Sequence, residues 1–191
     1  MPITINGSGT VTGISAGGLP DDCIVTADIA AGAVTQAKRS EQLTLDTAKA
    51  STSGTVVDFT GIPSWVKRVT VMFNGVSTNG TSYVQVQLGT AASFTTSGYV
   101  CGVSLNATNV SLASGIQAGL NTTAADARNG LIVFALVNSN AWSAFGLVGA
   151  SGNCSSICGS ISLADVLTRL RITTVNGTDT FDAGSINILY E

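Results

Sequence analysis

Histidine is absent from this 191-residue chain. Its absence removes the commonest general base and every Ser-His or Cys-His nucleophile pair. Charge is scarce too: Asp, Glu, Lys and Arg supply 10% of the residues, where about a quarter is usual. Charge keeps a protein surface hydrated and apart from its neighbours. A chain this poor in it must surface itself with Ser, Thr, Asn and Gly, or hide surface in an assembly. The eight Lys and Arg are dispersed and the net charge is −3, so no basic field is available for phosphates and nucleic acid is not an expected partner. Long apolar runs are also missing. The longest, Leu131 to Val137, falls far short of the ~20 residues that span a bilayer. Met1-Pro2-Ile3-Thr4-Ile5 has neither the basic region nor the apolar core of a signal peptide. The expectation is a protein made in a cytoplasm, without membrane insertion.

Cysteine is sparse and poorly spaced for metal. Cys154 and Cys158 are near each other, but Cys23 and Cys101 stand alone, whereas structural zinc sites use two close ligand pairs. A Cys154–Cys158 bridge would close only a small loop, and buried free thiols are the expectation. No phosphate-cradling Gly-Lys-Ser/Thr motif occurs, and Gly7-Ser8-Gly9 reads as a turn. Paired carboxylates could hydrolyse a glycan, but Asp179 with Asp182, and Asp21 with Asp22, sit among turn residues where Asp bonds its own backbone. No catalytic residue, cofactor or metal is expected.

What is present divides the chain near residue 50. Residues 1–50 hold one short β-like run (Ile3 to Ile5), Gly-rich turns and a nine-residue echo, Val25-Thr26-Ala27-Asp28-Ile29 returning as Val34-Thr35-Gln36-Ala37-Lys38. Few large apolar side chains occur there, so the segment reads as an extended attachment element that docks or winds around copies of itself. Residues 51–191 alternate instead, as strands with one buried face do. Val84, Val86 and Leu88 alternate with Tyr83, Gln85 and Gln87. Leu170 and Ile172 alternate with Arg169 and Arg171, and Val69, Val71 and Phe73 make a further face, as do Ile186, Ile188 and Tyr190, and Tyr99, Cys101, Val103 and Leu105. Asn74-Gly75, Asn79-Gly80, Asn129-Gly130, Gly152-Asn153 and Asn176-Gly177 signal turns. Ile132 to Val137 is apolar on both faces and belongs at a sheet centre or a subunit contact. Eight to ten strands are expected, with short helical turns possible at 120–128 and 162–168. The fold class is all-β, an antiparallel β-sandwich of jelly-roll type over 51–191. Trp65, after Pro63, reads as a core anchor.

Two regions carry a resemblance. The opening ITINGSGTVTGISAGGLPDD with VTADIAAGAVTQAK resembles the N-terminal segments of tail-fibre and related virion proteins of tailed bacteriophages. VDFTGIPSWVKRVTVMFNGVSTNGTS at 57–82 and RITTVNGTDTFDAGSINILYE at 171–191 are similar to C-terminal domains of the same proteins. The resemblance implies a homotrimer in the virion, attached to tail or baseplate proteins by its N-terminal segment and meeting a host surface glycan or protein with its β-domain. It equally admits a capsid decoration or baseplate component without receptor binding. A receptor site would present aromatics beside amide donors. On β-alternation, Phe145 and Leu147 share one face and Trp142 the other. With Phe145 and Leu147 inward, Trp142 points out beside Asn138 and Asn140, and Tyr83 does the same beside Gln85 and Gln87. These four, Trp142, Asn138, Asn140 and Tyr83, are the expected receptor contacts, and the alternative use of that face is packing against a neighbouring subunit.

Overall fold

A computed structural model describes residues 43–106, 108–120, 123–124 and 126–191, with Ala27 and Ile29. Residues 43–50 of the expected attachment segment are described; the rest of it, with its echo and the Asp21-Asp22 pair, lies outside the described residues apart from those two positions. The compact unit is Glu41–Glu191. It is all-β and antiparallel, and the described residues contain no α-helix, so none is long and apolar enough to cross a membrane.

The chain alternates between two sheets. One holds β3 (Val56–Thr60), β12 (Arg169–Thr174), β5 (Val84–Gly89) and β8 (Ile116–Gln117), in that spatial order. The other runs β1 (Thr44–Leu45), β13 (Phe181–Tyr190), β4 (Arg68–Thr78), β9 (Arg128–Asn138), β10 (Ala141–Ala150), β11 (Asn153–Ser162), β6 (Val100–Leu105) and β7 (Thr108–Leu112), with β2 (Lys49–Ala50) also paired to β13. The thirteen strands among the described residues exceed the expected number, largely because β1, β2 and β8 are two-residue pairings that alternation cannot reveal. Since β1 and β2 pair with β13, the sheet begins before residue 51.

The alternating apolar sets meet in one core. Val84, Val86, Leu88, Leu170, Ile172 and Phe59 come from the smaller sheet, and Val69, Val71, Ile132, Phe134, Ile186 and Ile188 from the larger. All twelve are almost completely buried, and each such side chain contributes roughly 1.5–3 kcal/mol. Trp65 packs on this core with its ring 6.0 Å from that of Tyr190.

Two expected turns lie inside strands. Asn74-Gly75 is within β4 and Asn129-Gly130 within β9. The register between β4 and its neighbours shifts at Gly75, opposite a second irregularity around Gly184. Gly75 and Gly184 have φ of 66° and 90°, so these glycines serve bulges that bend the sheet. No helical turn forms at 162–168, where β11 ends in a bend, nor in the described part of 120–128.

Gly159 sets the spacing between the sheets. A Cβ there would lie 2.5 Å from the Val100 carbonyl oxygen and 2.6 Å from Cδ1 of Ile116 on the opposite sheet. A Gly159→Val substitution is therefore expected to destabilise the unit by about 1–3 kcal/mol through overpacking, read as a lower midpoint in urea with an unchanged slope.

Candidate functional site

The outer faces of the two sheets differ in chemistry. In antiparallel pairing, residues directly opposite share a face. On the smaller sheet, Val56, Thr173, Gln85 and Gln117 form one outward row, and Asp58, Arg171 and Gln87 the next. A groove of about 380 Å³ runs over this face, lined by Val56, Gln85, Gln87, Thr96, Ser114, Arg171, Thr173 and residues 174–177.

The groove is built by locked side chains. Gln85 and Gln87 are 2% and 6% exposed, although an outward Gln is ordinarily solvated. Ser114 covers them: its hydroxyl donates to Gln85 Oε1 at 2.7 Å, and its carbonyl accepts from Gln87 Nε2 at 2.8 Å. Arg171 binds Asp58 through two parallel bonds, Nε to Oδ1 at 2.7 Å and Nη2 to Oδ2 at 2.8 Å. The hydrogen bond to Asp58 raises the Arg171 pKa above its usual value. Both partners remain about a third exposed, so the pair contributes no more than about 1 kcal/mol to stability. Its larger effect is to fix the guanidinium. Arg171 also lies 4.1 Å from the Phe94 ring centroid, and Arg169 lies 5.6 Å from it. Phe94 belongs to the segment joining β5 to β6, which Tyr99 ties down by accepting the Leu88 N–H at 2.7 Å. Burial pushes the Tyr99 hydroxyl well above its ordinary pKa, so it stays neutral.

The larger sheet presents an uncharged outer face, apolar on β9 and β10 and lined mainly by Ser, Asn, Gly and Cys on β11, β6 and β7. Leu189, Thr70, Val133, Phe145, Cys158, Gly102 and Ser111 follow one another across it. The next row is Asn187, Met72, Leu131, Leu147, Ser156, Ser104 and Asn109. Phe145 is 58% exposed and Leu147 55%. Among the described residues, these two rows contain no charged side chain.

Phe145 and Leu147 therefore face out and Trp142 faces in, the reverse of the expected assignment. Trp142 is 3% exposed. The alternation was read correctly, but size chose the wrong face. Inside, β10 offers Ala144 and Gly146 opposite the large Phe134 and Ile132 of β9, so small side chains are what the core can accept there. Trp142 cannot present its ring to a receptor from this position; with Asn140, Leu136 and Leu167 it lines a small partly open pocket of about 50 Å³, and its indole N–H has no protein partner among the described residues. Asn138 is exposed and Asn140 half-buried in the β9–β10 turn. Tyr83 is half-buried and belongs to the other sheet, where its carbonyl accepts the Val175 N–H. The four expected contacts thus do not form one site. The glutamines beside Tyr83 do.

The remaining candidate groups are structural. Asp179 accepts from Asn176 Nδ2 at 2.6 Å and the Ser82 N–H at 2.9 Å, and Asp182 accepts from the Ser77 hydroxyl. Cys154 and Cys158 are exposed free thiols, against the expectation of burial, and Cys101 is buried. Four residues apart on one extended strand, Cys154 and Cys158 stand ~13 Å apart, beyond the reach of a disulfide. The described residues contain no cluster of metal-ligating side chains.

Comparison with known proteins returns no matching family model, no matching curated protein and no matching solved structure.

Hydrogen bonds from Asn176 and then Ser82 hold the Asp179 carboxyl below its usual pKa. Its contribution to stability is therefore complete above about pH 4, the unfolded value, and is lost as pH falls through the lower folded value. Asp179→Asn is expected to flatten the acid limb of a stability-versus-pH curve, measured by urea unfolding between about pH 2 and 5.

Proposed function

We propose that this chain is a structural protein of a tailed-bacteriophage particle: a short trimeric tail fibre or fibre tip. Its N-terminal segment attaches to tail or baseplate proteins, its β-domain binds a host surface glycan or protein, and no turnover follows. The observation that carries this reading is the exposed apolar strip of β9 and β10, Leu131, Val133, Phe145 and Leu147, set in an uncharged outer face that Ser, Asn, Gly and Cys continue across β11, β6 and β7. The apolar strip on two strands at ~4.8 Å spacing and ~30 Å length offers about 300 Å² of projected area. The uncharged strands beside it would extend a contact toward the ~800 Å² per partner of a standard interface. Association of three copies would cover it, and linked copies would turn weak contacts into avid attachment.

The strand order supports a jelly-roll reading. Strand β12 is inserted between β3 and β5, and β9 to β11 are inserted between β4 and β6. The two halves of the chain interleave as in paired Greek keys, with the penultimate element of the larger sheet expanded into a three-strand meander. The free thiols fit assembly in a reducing host cytoplasm. The same apolar face also favours a second reading, a capsid decoration or baseplate component, because a neighbouring particle protein would cover it equally well.

Particles assembled without this chain are expected to form and to fail at host adsorption. Fragile particles that adsorb normally would overturn the fibre reading in favour of a cement. A second expectation concerns Cys158, which neighbours Phe145 on the outer face. Maleimide should modify it slowly in the assembled wild type and at least ~10-fold faster after Phe145→Glu breaks the contact. Equal rates would mean that the face is free.

A further inference from the structure

The groove on the smaller sheet has the chemistry of a ligand site, and we propose that it binds a neutral saccharide. The inference rests on the host-attachment reading above and specifies where and what that attachment binds.

The floor supplies the first argument. Gln85 uses Oε1 and Gln87 uses Nε2 to hold Ser114. Among the described residues, Gln85 Nε2 and Gln87 Oε1 have no protein partner, and they are the atoms that stay accessible on the floor in side chains otherwise more than nine-tenths buried. Amide groups that the protein leaves unpaired and accessible are available to water or to a guest. One free donor and one free acceptor, two residues apart on β5, match vicinal hydroxyls, each of which both donates and accepts. Thr96, Thr173 and Ser114 add hydroxyl oxygens along the same lining.

The flanks supply the second. Val56 and Val175 border the groove and are 41% and 38% exposed. Each presents an apolar contact for the C–H face of a sugar ring beside the polar floor. Charge supplies the third. The cation lining the groove, Arg171, already holds both oxygens of Asp58, so the site offers no unpaired charge to a phosphate or carboxylate. A peptide strand is disfavoured by position: the groove lies mainly over the face of β12 and β5, which are paired on both sides, and only Val56 reaches the edge strand β3. At about 380 Å³ it falls in the lower range of small-ligand sites, which begins near 300 Å³. That suits a mono- or disaccharide unit of a longer glycan.

The test uses the full chain and the methyl glycosides of glucose, galactose, mannose and N-acetylglucosamine, with glucuronic acid as the charged probe, followed by saturation-transfer NMR. Val175→Trp fills the groove from an exposed position, and Gln85→Leu removes the free donor while keeping volume. Saturation transfer to at least one neutral glycoside is expected, with affinity falling ~10-fold or more in Val175→Trp at unchanged unfolding midpoint and unchanged mass. Gln85→Leu should weaken binding in the same direction. Silence from every neutral glycoside, undiminished transfer in Val175→Trp, or preference for glucuronic acid would each overturn the proposal. Failure of the broader reading looks different: particles carrying Val175→Trp that adsorb normally would remove the groove and leave the fibre, whereas a wild-type chain absent from particles would remove the fibre itself.

Discussion

A strand has two faces and a sheet must do something with both. In this chain the inner faces of both sheets close on one core, so the character of the protein is decided by what the outer faces carry. The smaller sheet carries Gln85, Gln87, Asp58, Arg171 and Thr173, polar groups that bond one another and their covering segment. The larger sheet carries Met72, Leu131, Val133, Phe145 and Leu147 in adjoining rows. With charge at 10% of the chain, nothing on the second face opposes association. One outer face is polar and bonded within itself, the other uncharged and in part apolar.

This division places demands on the interior. Gly159 lets Ile116 cross from the smaller sheet to the larger, and Ala144 and Gly146 leave room for Phe134 and Ile132. Because small side chains line part of the core side of β10, its large ones are free to stand outside. The segment between β5 and β6 is held by Tyr99 and Phe94 against Leu88, Arg169 and Arg171, which keeps the polar groove in shape without a long rigid element. The sheet's bend at Gly75 and Gly184 does the remaining fitting.

Much of the fold was legible because alternation is a local property. The sets Val84/Val86/Leu88, Leu170/Ile172, Val69/Val71/Phe73 and Ile186/Ile188 all appear as inward faces, and the doubly apolar run from Ile132 does lie in a central strand with one face outside the core. What period alone cannot give is which of two apolar faces is inside. For β10 the larger residues looked like core, and the choice inverted Trp142 against Phe145 and Leu147; the deciding facts are the volumes of Phe134 and Ile132, which lie beside Ala144 and Gly146 but come from 10 and 14 residues away along the chain. Asn74-Gly75 inside β4 misled for a related reason, since a bulge uses the same backbone conformation as a turn, whereas Asn129-Gly130 runs in register with β10, where a Cβ on Gly130 would lie 2.2 Å from the Leu147 carbonyl oxygen. The groove was half visible: Gln85 and Gln87 were placed beside Tyr83, but their cover, Ser114, comes from 27 residues downstream of Gln87.

The central claim is that the outer face of the larger sheet is a contact between copies of this chain. Light scattering on the purified full chain, beside Phe145→Glu, tests it most directly. The account requires a wild-type mass near three times the 19.2 kDa of one chain, falling to that of a single folded chain in the variant. A wild-type monomer at micromolar concentration, or a trimer that Phe145→Glu leaves intact, would contradict it.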